Sequence, residues 1–330
     1  MLSRIVGKIN RSFNDLIALM GMGWIKFRDS ENLVLMYHGV EKKRNKKFNF
    51  RHLGYNDFRS QLQFMKRHFD IVPLSQWKPQ RKRGERLQVA ITFDDGFINN
   101  AKYAIPLLNE FEVSASIYVT RVTETDYPYL WPDFIEIAAF YFKKDVVIEG
   151  ELYTLKEGRD YINSKTGELL SSAIRKSTSY AFKEAVYQSF IKEGFNVEQY
   201  QEDEDNWKLM SDKALLEADQ SPFVKIECHS FYHNNLGELS YQAATEELSS
   251  AKRGLEKVLG RQVTELAYPD GSYTRELLDF ANQIGFEKQL AADGYLFPDD
   301  HHDARIIQRV GVYPVFSWYN QLVIAFKGKY

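Results

Sequence analysis

Apolar runs of four to six residues, each closed by a polar or glycine-containing turn, recur along the chain and alternate with segments of helical period. That alternation predicts βαβ units in a parallel sheet or barrel. Strands are predicted at 32–37 (NLVLMY), 87–93 (LQVAITF), 114–120 (SASIYVT), 224–228 (VKIEC), 264–268 (TELAY), 288–292 (KQLAA) and 309–314 (RVGVYP). Amphipathic helices are predicted at 58–69, 104–111, 242–260 and 276–286, with Gly260 and Gly285 where helix C-caps fall.

Residues 125–220 break the alternation with helical segments at 134–144 and 179–195 and an acidic stretch, QEDEDN, at 201–206. They read as a helical insertion decorating one face of a barrel domain that spans 31–330. Residues 1–30 read separately. Arg4, Lys8 and Arg11 precede LIALMGMGWI (16–25), which at ten residues is too short to span a bilayer and lacks a small-residue cleavage site. This amphipathic segment is expected to pack on the domain or to rest on a membrane surface.

Composition narrows the function classes. A net charge of −2, from 43 basic and 45 acidic residues, leaves no electrostatic footprint for nucleic acid. The basic clusters KKRNKK (42–47) and RKRGER (81–86) read as solvated loops. A single cysteine, Cys228, excludes both an internal disulfide and a multi-cysteine zinc site. Without an export signal the expected location is the cytoplasm, with or without membrane association.

The chemistry-bearing residues gather at strand ends. Asp94 and Asp95 follow VAITF, where a barrel builds its active site. Adjacent side chains of a regular strand point to opposite faces, so the two carboxylates suit different tasks, one binding a metal and the other acting as base. A lone DDG would serve equally as a helix cap. HSFYH (229–233) follows VKIEC and sets two histidines at i and i+4, which predicts both imidazoles on one side of a helical turn, a spacing for a shared divalent ion. One carboxylate and two imidazoles leave coordination positions open for water and substrate, which is hydrolytic chemistry. His38 in YHGV and the Pro-Asp-Gly turn 269–271 end two further strands.

At these residues the chain resembles the polysaccharide deacetylases of the NodB-homology type, carbohydrate esterase family four. The resemblance rests on Thr92-Phe93-Asp94-Asp95-Gly96, His229-Ser230-Phe231-Tyr232-His233 and Tyr268-Pro269-Asp270-Gly271, in that order. It implies a distorted (β/α)7-type barrel and removal of N-acetyl groups from an amino sugar or polysaccharide. It further implies Asp94 as catalytic base, Asp95, His229 and His233 as ligands of a metal, usually Zn2+, and Ser230 as a brace between the histidines. Tyr268, Pro269, Asp270 and Gly271 would contact the carbohydrate substrate.

Two departures stand out. The third motif often begins with an arginine that orients the base, and Ala267 holds that position here. A late Leu-x-His motif for the general acid is missing, since His301 and His302 sit in an acidic loop. Both gaps resemble the poly-N-acetylglucosamine deacetylase subgroup, in which the acid histidine lies on an early strand, as His38 does in LMYHGV. Arg309 is the candidate for the absent arginine, against a solvated or structural role. The alternatives are a metal- or carbohydrate-binding pseudoenzyme, an O-acetyl esterase, or another amide hydrolase on the same fold.

Overall fold

The computed structural model describes residues 2–44, 47, 49–156 and 160–327, so Asn45 and Lys46 of the KKRNKK cluster lie outside the described residues. Among the described residues one parallel sheet holds β1 (Leu33–Tyr37), β2 (Asp70–Ile71), β3 (Gln88–Phe93), β4 (Ala115–Val119), β5 (Val224–Cys228), β6 (Glu265–Ala267), β7 (Lys288–Leu290), β8 (Ile306–Ile307) and β9 (Val310–Gly311). Their spatial order is β8-β7-β6-β5-β4-β3-β1-β9, with β2 paired to the start of β3.

The two edge strands, β8 and β9, are separated in the chain by Gln308 and Arg309 alone. Three Cα–Cα steps reach about 11 Å at most, so the sheet must curl until its edges nearly meet. The result is the curled, barrel-like parallel sheet with outer helices expected of the NodB homology fold. Alternation along each strand then sorts the side chains. Leu35, Ile91, Ile117 and Ile226 face outward into the main core with the helices, while Val34, Ala90, Tyr118, Ala267 and Leu290 form a small cluster inside. β2 and β8, at two residues each, are too short to register as apolar runs in the sequence.

Between β4 and β5 lies the insertion, which carries its own hydrophobic core around Phe134, Tyr187, Phe190 and Phe195. Beside the expected helices, observed at Trp131–Tyr141 and Ala181–Lys192, it contains an antiparallel sheet of Val146–Ile148, Glu151–Lys156 and Asp160–Asn163. The first hairpin turns at Glu149 and Gly150, with φ of 48° and 83°, the two positive values a tight type I′ turn needs. Glu-Gly is a weak sequence signal for that turn, so the helical periodicity on either side masked the strands.

At the N-terminus, helix Leu2–Leu19 lies against helix Trp318–Lys327. Asn14 donates to Asn320 Oδ1 at 3.0 Å, and Asp15 accepts from Asn320 at 2.8 Å and from the Ser317 hydroxyl at 2.5 Å. The other side of the helix keeps Ile9, Phe13, Leu16, Leu19 and Met20 between 52% and 86% exposed. No helix among the described residues is long and apolar enough to cross a membrane.

Phe134 stacks on Tyr129 at 5.3 Å and meets Tyr187, Phe190 and Phe195 edge-on. Phe134→Ala should therefore destabilise the protein by about 3–5 kcal/mol, read from urea-unfolding midpoints. A loss below about 1 kcal/mol would mean that the insertion core is not packed as described.

A candidate metal centre at the mouth of the barrel

Asp94 is the first residue beyond β3, and its N–H donates to the Tyr37 carbonyl at 2.9 Å. Because Tyr37 pairs with Phe93 in register, His38 and Asp94 emerge side by side from neighbouring strands. Regular strand geometry stops there. Asp95 and Gly96 turn left-handed, with φ of 75° and 80°, and this turn lets Asp94 and Asp95 both approach His229. A β-carbon on Gly96 would also lie 2.8 Å from Val119 Cγ1, so glycine is required twice over.

His229 follows β5 in the same way, its N–H donating to the Val119 carbonyl at 2.9 Å. Its Nδ1 lies 2.8 Å from the Ala267 carbonyl, which can only accept, so Nδ1 carries the proton and Nε2 is left with its lone pair. The HSFYH segment is not the helical turn that its spacing predicted. It is a loop with φ of 66° at Ser230 and 53° at His233, and these two left-handed residues turn His233 back toward His229. Ser230 Oγ accepts from the His233 N–H at 3.1 Å and closes the loop.

Asp95, His229 and His233 are all buried, and one donor atom from each lies within 4.8 Å of the others. Asp95 Oδ1 is 3.2 Å from His233 Nε2 and 3.6 Å from His229 Nε2. Ligands about 2.1 Å from a tetrahedral ion stand about 3.4 Å apart, so the separations suit a shared divalent cation. Asp95 Oδ1 also has no hydrogen-bond partner although it is buried. An orphaned carboxylate oxygen between two imidazoles fits a cation better than it fits an apolar core. Burial pushes the Asp95 carboxyl up, but His233 and Arg51 together hold it well below the usual range. Burial lowers His229, keeping its imidazole in the neutral form that ligates metals.

Arg309 is not solvated. It is fully buried and grips Asp94 with both ends of its guanidinium, Nη1 to Oδ1 at 2.5 Å and Nη2 to Oδ2 at 2.8 Å. Its Nε donates to the Ala291 carbonyl at 3.0 Å. Burial alone would raise the Asp94 carboxyl, yet Arg309, and then His229, bring it below its ordinary value. Ala267, in the position where an arginine was expected, packs in the small inner cluster and offers its carbonyl to His229.

His38, Asp94, His229, His233 and Asp270 line one cavity of about 390 Å³ together with Arg51, Glu136, Arg175 and Tyr313. Burial lowers the His38 imidazole to about 4, and its Nδ1 has no partner. Of the third motif, Asp270 alone reaches the cavity, held left-handed at φ 52° and paired with Arg175 at 3.3 Å. Tyr268 is buried with its hydroxyl on Gln289 at 2.5 Å, and Gly271, 2.9 Å from the Ala292 nitrogen at its missing β-carbon, lets the turn pack close. Arg51, Asp133 and Lys183 sit at or behind the ligands and carried no sequence signal, since Arg51 follows a basic run and the other two lie on insertion helices.

The polysaccharide deacetylase family model matches residues 183–288, a segment that contains both metal-site histidines and the third motif. In fold, the chain is similar to the Streptococcus pyogenes deacetylase PplD in complex with acetate, at TM-score 0.50 and 16% identity over 90% of this chain and 98% of that one. It is likewise similar to IcaB from Ammonifex degensii, at TM-score 0.53 and 15% identity over 90% and 97% of the two chains. The sequence match to the family is thus confined to residues 183–288, and the solved structures share the fold. A putative polysaccharide deacetylase from Bacillus anthracis, at TM-score 0.50 and 16% identity, shares the fold over 90% of this chain and 69% of its own. No curated protein matches the sequence. The deacetylase match does not include Asp94 and Asp95, whose place beside the histidines rests on the geometry alone.

Removing Arg309 should leave a buried, unpaired Asp94. Arg309→Met is expected to cost about 3–5 kcal/mol at pH 7, and Arg309→Met with Asp94→Asn to recover most of it. The sign with pH follows from the depressed carboxyl. In the native chain the pair contributes fully above the unfolded value of about 4, and the contribution fades as pH falls through the lower folded value. In Arg309→Met the deficit should shrink on acidification from pH 7, as Asp94 takes up a proton. Urea titrations across that range measure it, and a pH-independent deficit would contradict the pairing.

Proposed function

We propose that the protein is a metal-dependent hydrolase that removes N-acetyl groups from an amino sugar or polysaccharide. The observation that carries this reading is one cavity lined by His38, Asp94, His229 and His233, with Asp95 buried against the two histidines and Arg309 on Asp94. Asp95, His229 and His233 would hold a divalent ion, which we take to be Zn2+. Such an ion supplies Lewis acidity, drawing a water toward ionisation and polarising the acetyl carbonyl.

The remaining steps belong to the side chains. Asp94 takes the proton of the attacking water. Arg309 keeps Asp94 acidic, so it is a poor resting place for that proton. His38, emerging next to it, passes a proton to the departing sugar nitrogen. Because burial lowers its affinity for protons, the proton that His38 delivers is the one Asp94 takes from the water. Asp270 and Arg175 stand at the cavity wall where sugar hydroxyls would bind.

Arg309 also favours turnover over the pseudoenzyme reading. Ala267 leaves the base without support from the third motif, and Arg309 supplies that support from the crossing between β8 and β9. Asp94→Asn should reduce acetate release from N-acetylglucosamine oligomers by at least about 100-fold while retaining one equivalent of zinc. His229→Ala should lose both activity and metal. Full metal retention by His229→Ala would sink the ligand assignment, and acetate released from acetylated xylan but not from chitin oligomers would reassign the bond to an ester.

The exposed apolar face of helix Leu2–Leu19 supports a second reading, peripheral contact with an anionic membrane surface. Trp24 and Ile25, in the turn after the helix, are exposed as well, Lys8, Arg11, Lys26 and Arg28 lie along the same segment, and Asp15 is turned inward onto Ser317 and Asn320. Native protein should sediment with vesicles containing anionic lipid, and Phe13→Glu with Leu16→Glu should abolish this without changing hydrolysis of a soluble oligomer. Equal sedimentation of both proteins would refute it.

A further inference from the structure

Two of the three proposed metal ligands are gripped from the insertion. On one side, Arg51 donates to Asp95 Oδ2 at 3.3 Å, which leaves Oδ1 as the oxygen facing the histidines. Arg51 does not reach there unaided. Its second terminal nitrogen is anchored at 2.7 Å on Asp133, a buried residue of insertion helix Trp131–Tyr141. The loop before Arg51 is stitched to the same element. The Asn49 N–H donates to Glu136 at 2.7 Å, and its side-chain amide donates to Asp133 at 2.9 Å and to the Asn206 carbonyl at 2.7 Å.

On the other side, Lys183 of insertion helix Ala181–Lys192 is buried, and its ammonium spends all three protons on the histidine loop. Nζ donates to the Tyr232 carbonyl at 3.0 Å, the His233 carbonyl at 2.7 Å and Asn234 Oδ1 at 2.7 Å. That loop holds left-handed backbone at Ser230 and His233, a conformation that costs of order 1–3 kcal/mol per residue and persists only when its surroundings enforce it. Ser230 closes the loop from within, Glu247 accepts from the Tyr232 N–H at 2.9 Å and from the Asn234 amide at 2.7 Å, and the Arg121 N–H donates to the Phe231 carbonyl at 3.1 Å.

We propose that the insertion is the positioning element of the metal centre, setting Asp95 through Asp133 and Arg51 and setting His233 through Lys183. The inference rests on the metal-site reading above and assigns positioning residues that the deacetylase motifs do not contain. Its physical content is preorganisation. Ligands already held at bonding separation lose little freedom when the ion arrives, and supporting side chains of this kind are worth about 10- to 100-fold in metal affinity.

The test uses the full chain with Co2+ and Zn2+ as probes, affinity by chelator competition and coordination by the visible spectrum of the cobalt form. Arg51→Gln and Lys183→Met should each weaken Co2+ and Zn2+ binding about 10- to 100-fold and alter the cobalt spectrum. Asp133→Ala should match Arg51→Gln, and the two together should be no worse than either alone, because they break one chain of contacts. Asp133→Asn, which keeps an oxygen for Arg51, should restore most of the affinity and keep the inference testable if the alanine variant does not fold. Val186→Ala, in the insertion core away from the ligands, should lower the unfolding midpoint and leave affinity and spectrum unchanged. Native affinity and spectrum in Arg51→Gln and Lys183→Met would overturn the inference and leave the metal site standing. Failure of the unsubstituted protein to bind either ion would overturn the metal site and the inference with it.

Discussion

The paired contact between Arg309 and Asp94 joins the closure of the barrel to the charge at its mouth. Arg309 lies in the two-residue crossing between the edge strands, so its guanidinium reaches the interior only when those edges have come together. Once there it is fully buried, and a buried guanidinium without a carboxylate is strongly unfavourable. Asp94, equally buried at the end of β3, has the complementary need. Each charge is tolerable because of the other, and the contact forms only in the curled sheet. The ionisation of the proposed base is therefore a property of the closed barrel rather than of the DDG segment.

The same mouth concentrates unusual backbone. Nine non-glycine residues among those described have positive φ, and six of them, Asn49, Asp95, Ser230, His233, Asp270 and Asp293, form or line the site. Strand ends deliver side chains outward along the barrel axis, and regular continuation would send neighbours to opposite faces. Left-handed residues break that rule locally. They bring Asp95 round to Asp94's neighbours and fold His233 back onto His229, with the strain offset by the side-chain contacts that enclose each turn.

Much of this was legible in the sequence, and what was not shares one physical cause. The strands that deliver His38 and Asp94 are buried on both faces and read as nearly continuous apolar runs, while VKIEC, which delivers His229, keeps apolar residues only at alternate positions, interleaved with Lys225 and Glu227. Motifs read directly for the same reason, because Asp94 with Asp95 and His229 with His233 are neighbours in the chain. The failures are non-local. The partner of Asp94 lies 215 residues away and is delivered by barrel closure, so Ala267 looked like a loss. The histidine loop was expected as a helical turn because i, i+4 spacing is also what two left-handed residues can bring together. Arg51 and Lys183 act through an insertion whose own fold, with its antiparallel sheet, is set by a Glu-Gly turn that composition does not advertise.

Two adjacent carboxylates in a buried site pose an electrostatic problem, because like charges so close normally leave one of them protonated. Here each has a cation of its own, Arg309 on Asp94 and Arg51 on Asp95. The two arrangements are unequal. Arg309 occupies both oxygens of Asp94, whereas Arg51 occupies one oxygen of Asp95 and leaves the other without a hydrogen bond, facing two imidazoles. A divalent ion entering the site would meet its best vacant donor on Asp95, while Arg309 holds Asp94 in its ionised form. The division of labour proposed for these identical side chains thus follows from the number of oxygens that each arginine covers, and a motif that names only the aspartates leaves that count unspecified.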